Sequence, residues 1–206
     1  MLDKGVTLAR FASRVAVWLG GAMLLFAAFL TTAEVFARKV FNFSFGGADE
    51  ISGYLFAVST AFAFAFCMLE RAHVRIDALY MVLPTGIRRV LDMLGFLLLG
   101  GFMTLMTMRG FTMWYGSWEN ESVSITPLVT PLDIPQGFWL AGLIFFLLVF
   151  VIVLLRLIQA VAQRDWRTYS RLIGARTLDE EVEAETQQAA AGLQTEHQAI
   201  RKKEVK

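Results

Sequence analysis

Apolar residues fall along this chain in four long blocks, each bounded by charged positions. Charge-free runs cover 15–33, 51–69, 93–108 and 134–155, with lengths of 19, 19, 16 and 22 residues. A helix rises about 1.5 Å per residue, so 19 residues reach ~28 Å, close to a ~30 Å hydrocarbon core. Backbone groups in lipid must be satisfied internally, so each block is predicted to be a helix. Ala61-Phe62-Ala63-Phe64-Ala65-Phe66 alternates like a strand, but an open strand cannot span lipid and the run around it is helix-length. The short third run predicts a helix that takes in Val90 and Leu91 or continues past Arg109 towards Trp114. Spans are therefore expected at about 15–33, 51–69, 90–109 and 134–155. Trp18, Trp114, Trp118 and Trp139 fall near those ends, where amphipathic rings prefer to sit.

Composition agrees. Of the 206 residues 56% are hydrophobic, and mean hydropathy is +0.55. The fold class predicted is an all-α membrane protein with four transmembrane helices. Residues 1–158 form the membrane domain, and 159–206 form a charged tail, helical or partly disordered. A net charge of +1 suggests no nucleic-acid partner. The single cysteine, Cys67, excludes a disulfide framework and a Cys-rich metal site. A cleaved signal peptide is the competing reading of the first block. Its apolar stretch exceeds a typical h-region of roughly 7–15 residues, and Thr31-Thr32-Ala33 is a poor cleavage site. The first span is expected to be retained.

Orientation follows from Lys and Arg. The N-terminal segment, the second loop and the near tail hold 12 of them; the first and third loops hold 3. By the positive-inside rule both termini and the second loop are expected on the cytoplasmic side.

The intervals between spans hold the candidate functional residues. After Glu34, the segment with Val35, Phe36, Arg38, Lys39, Val40 and Phe41 reads as an interfacial helix, broken at Asn42 to Gly47. Asp49 and Glu50 open the second span, where acidic groups suit a helix N-terminus; they are also candidates for docking an external partner. The third loop, 109–133, carries Trp114, Tyr115 and Trp118 and then Pro127 and Pro131. Arg164, Arg167, Arg171 and Arg176 lie where anionic headgroups would attract them, so membrane lipids are expected partners. An acidic cluster at Asp179, Glu180, Glu181, Glu183 and Glu185 follows.

Some chemistry is missing. The only histidines are His73 and His197, so no intramembrane haem ligand pair is available. Glu34, Asp49, Glu50, Glu70, Asp92 and Asp133 all read as span-end residues, whereas ion-coupled carriers place ionisable or broken-helix elements near the midplane. The chain reads as a membrane-embedded partner, with no catalytic residues, no metal and no cofactor.

The stretch Arg38-Lys39-Val40-Phe41-Asn42, then Asp49-Glu50, a span, and Glu70-Arg71-Ala72-His73-Val74-Arg75-Ile76-Asp77 resembles the small membrane subunit, DctQ type, of tripartite ATP-independent periplasmic (TRAP) transporters. Ser124 to Gln136, with Pro127, Pro131 and Pro135, is similar to that family's proline-bearing approach to the fourth span. The resemblance covers about 15–158. It departs at Phe45-Gly46-Gly47, where many members carry a tryptophan. It implies a multi-pass subunit of a bacterial inner membrane, paired with a large permease subunit and served by a periplasmic solute-binding protein. It implies a sodium-coupled secondary transporter importing a carboxylate-type solute. Given that reading, Arg38, Lys39, Asp49 and Glu50 are expected to dock the binding protein, and Arg71, His73, Arg75 and Asp77, paired at i and i+4, to contact the large subunit. The alternative is a structural four-span anchor of another inner-membrane complex.

Overall fold

The computed structural model describes residues 2–44, 46–71, 83–174 and 186. Among these residues four helices are long and apolar enough to cross a membrane: α1 (Leu2–Phe41), α2 (Ala48–Leu69), α3 (Thr85–Glu119) and α4 (Asp133–Ala162); a short α5 (Trp166–Ile173) follows. The Ala-Phe alternation at 61–66 lies inside α2, so the bilayer length argument outweighs the strand-like pattern.

α1 and α3 outrun the expected spans furthest. The segment after Glu34 is the unbroken end of α1, which is 40 residues long and so about 60 Å. Nothing between Ala33 and Phe41 breaks a helix, and Glu34 pairs with Arg38 at i and i+4 across 2.7 Å, a spacing that supports helix. The break comes at Asn42, in the left-handed region at φ 49°. Likewise α3 passes through Arg109 and continues to Glu119.

α4 lies at the centre, touching α1, α2, α3 and α5. Its buried side chains Leu143, Phe146, Val149, Val153 and Leu157 recur every three or four residues, the stripe of a helix packed on one side. Facing them, α3 buries Phe96, Gly100, Met103, Thr107 and Gly110. Gly100 leaves room for the Phe150 ring, which stacks on Phe96 at 4.5 Å between centroids. Small residues let helices approach closely in lipid, where no hydrophobic force drives them together. α1 meets α2 through Gly20 against Ser59 and a 2.9 Å Thr31–Ser52 hydroxyl bond. These pairings make neighbours in the chain antiparallel. The 42–47 turn and the 120–132 loop share one end of the bundle, the loop end; the starts of α1 and α3 share the other, the tail end, with α5.

Outward faces of α1 and α3 stay apolar: Phe11, Leu25 and Phe29 on the one and Leu98, Phe102 and Leu105 on the other are more than half exposed. Such surface needs lipid or another protein around it.

Candidate functional site

At the loop end two carboxylates organise the connections. Glu34, seven residues before the end of α1, is 2% exposed. It accepts from Arg38 Nη2 at 2.7 Å and from the Ser44 hydroxyl at 2.5 Å, so it ties the turn back onto the helix. Arg38 keeps 60% of its side chain exposed. Glu50, in the first turn of α2, accepts from Tyr54 Oη at 2.7 Å and from the Thr126 hydroxyl. Thr126 bonds Ser124 at 2.7 Å, and Ser124 exchanges backbone and side-chain bonds with Thr130. Glu50 thus pins the third loop over the start of α2. Leu128 at the tip sits directly on Gly47, where any β-carbon would collide with its side chain. The two loops form one platform.

Of the four loop-end residues expected from sequence, the structure gives Arg38 and Glu50 intramolecular partners and leaves Lys39 and Asp49 exposed. Around them Glu119 and Glu121 are exposed, and Ile125 projects fully into solvent. Sequence reasoning missed Glu34 as a buried group, along with Ser44, Tyr54, Ser124, Thr126 and Thr130. The available signals were local: Arg38 four residues after Glu34, and Tyr54 four residues after Glu50.

At the tail end, Arg71 Nη1 donates to Ser170 O at 3.2 Å and Gly174 O at 3.3 Å, holding the C-terminal carbonyls of α5. His73, Arg75 and Asp77 lie outside the described residues. Asp165 caps α5, accepting from the Thr168 N–H at 3.1 Å. The Thr168 hydroxyl and then that N–H hold its carboxyl below the ordinary range. Tyr169 is buried and donates to Arg89 O at 2.6 Å, while Arg89 lies 4.3 Å over the Trp166 ring. Burial foremost, then the Asp92 charge, pushes the Tyr169 phenol above its usual 10.0. Its stabilising contribution is therefore complete below about pH 10 and lost as pH rises through the raised value. That of Asp165 is present above its ordinary pKa of 3.8 and lost as pH falls through the lowered one. Tyr169→Phe should weaken α5 docking by about 1 kcal/mol. Amide exchange over 166–173 should quicken several-fold with the α3 and α4 cores unchanged; exchange at the parent rate refutes the clasp.

Between α1, α2 and α4 a cleft of about 670 Å³ is lined almost wholly by apolar side chains. Ser59 of α2 is among the lining residues, and its hydroxyl has no partner among the described residues. Also among these residues, no three His, Cys, Asp or Glu side chains converge as a metal site would require.

The chain is thus a multi-pass helical membrane protein in which Glu34, Glu50, Arg71 and Tyr169 fasten its own loops and short helix. The family of tripartite ATP-independent periplasmic transporters, DctQ component, matches residues 27–160, and the chain belongs to that family. It is a small membrane subunit of a TRAP transporter. No curated protein and no solved structure matches it.

Proposed function

We propose that the chain braces the large permease subunit of a sodium-coupled importer for a carboxylate-type solute, in a bacterial inner membrane with both termini cytoplasmic. The observation that carries this reading is the extent of the family match, 27–160, which runs from the second half of α1 to the end of α4, the packed bundle itself. The apolar outer faces of α1 and α3 support it, since they suit a neighbouring membrane protein. The asymmetry of Lys and Arg supports the orientation. Solute and sodium are assigned to the large subunit, and the loop end to the periplasmic binding protein. Liposomes holding this chain alone should show background uptake of sodium-driven carboxylates; adding the large subunit and binding protein should give uptake. Robust flux from the chain alone would end the bracing reading.

For docking, Lys39 and Asp49 are the cleaner probes. Arg38→Glu would also place a second carboxylate beside buried Glu34. Lys39→Glu combined with Asp49→Lys should cut three-component uptake several-fold while the membrane subunits still copurify. Parental uptake from that double variant would move the docking site elsewhere. Arg71, His73, Arg75 and Asp77 are assigned to the large-subunit contact, and complex yield and melting of His73→Ala and Asp77→Ala test that assignment.

A further inference from the structure

Arg109 ends the third charge-free run, yet α3 continues ten residues beyond it to Glu119. Its depth follows from the contacts around it. The adjacent Gly110 packs on Trp139 and Leu140 of α4, and Gly142 of α4 packs on Ala61 of α2. Ser59, half a turn towards the loop end of α2, faces Gly20 of α1. Arg109 is therefore level with the middle of α1. From that level towards the loop end, α1 still exposes Leu24, Leu25, Phe26 and Phe29. These add about 13 Å of helix that needs hydrocarbon around it, which places Arg109 near the midplane of a ~30 Å core.

The Arg109 side chain is exposed and has no hydrogen bond or ion pair among the described residues. On the same face Phe102, Leu105 and Met113 are exposed as well. Snorkelling does not relieve the charge. A helical side chain leaves its backbone leaning towards the helix N-terminus, and the N-terminus of α3 is at the tail end. The guanidinium therefore leans away from the nearer loop-end surface. Arg14, six residues before Gly20 on α1, leans towards the tail-end water in which its helix begins, so it can snorkel.

An ionisable group at this depth calls for a partner. We propose that Arg109 is an intramembrane anchor for an Asp or Glu carboxylate on a helix of the large permease subunit, which therefore packs on the Phe102–Met113 face of α3. A guanidinium takes a carboxylate through two parallel N–H···O bonds. From near the midplane of a ~30 Å core the lipid phosphates lie about 15 Å away on either side, beyond the reach of the side chain. The inference rests on the subunit reading above.

The test is made on the coexpressed complex. Arg109→Leu should reduce copurified large subunit at least fivefold, while the variant chain accumulates in membranes at the parental level, because leucine suits lipid. Arg109→Lys should retain part of the yield. In the otherwise parental chain, Leu105→p-benzoylphenylalanine should photocrosslink to the large subunit, a readout that stands even where the leucine variant accumulates poorly. Full copurification of Arg109→Leu, or adducts with lipid alone, overturns the anchor. A parental chain that brings down no large subunit defeats the subunit reading itself, and the anchor with it.

Discussion

Gly142→Val should loosen the bundle more than any conservative change on its surface. A β-carbon on Gly142 would lie 2.8 Å from Ala61 Cβ and 3.0 Å from both the Ala61 carbonyl carbon and the Phe62 nitrogen. Two of those three atoms are backbone, so no side-chain rotation relieves them and α2 and α4 must part. Overpacking costs about 1–3 kcal/mol even where side chains can shift. At ~2–4 °C per kcal/mol for a chain of this size, the purified subunit should melt roughly 5–10 °C lower. Gly101→Ala is the control, because a β-carbon there meets nothing within 4 Å and alanine favours helix. Equal melting of the two variants would mean that α2 and α4 do not pack as described.

Glu50→Ala should act on the loop end and spare the core. It removes the acceptor shared by Tyr54 and Thr126 and frees the 124–130 turn from α2. Limited proteolysis within 120–132 should quicken markedly, and uptake by the assembled transporter should fall, while the helices melt near the parental temperature. Glu50→Gln keeps one carbonyl acceptor and should fall between. A loop as protected as the parent in Glu50→Ala would show that Leu128 seated on Gly47 suffices to hold it.

The four crossings were legible because lipid imposes one demand that any sequence must meet, a run of apolar residues long enough to span it. Helix ends were not, because a charge does not by itself end a helix. Glu34 sits inside α1 since Arg38 and Ser44 satisfy it, and Arg109 sits inside α3 with ten more helical residues beyond it. The Glu50 clasp was hidden for another reason. Its distant partner Thr126 is an uncharged hydroxyl 76 residues away, and no local periodicity announces such a pairing. α5 leaves a local trace in the sequence: Asp165 three residues before Thr168 is a cap signature. Trp166, Tyr169 and Ile173 follow at helical spacing.

The length of α1 has a mechanical consequence. Its 40 residues reach about 60 Å, twice a ~30 Å core, and exposed apolar side chains continue among the charges at both ends, Leu8 and Phe11 beside Arg10, and Val35 and Phe36 beside Arg38. Such hydrophobic mismatch is relieved by leaning or by thickening the surrounding bilayer, at a cost of fractions of a kcal/mol per Å. Acyl-chain length in the host membrane then becomes a variable that sets the angle at which α1 stands, and tilt measurements in oriented bilayers of graded thickness would read it directly.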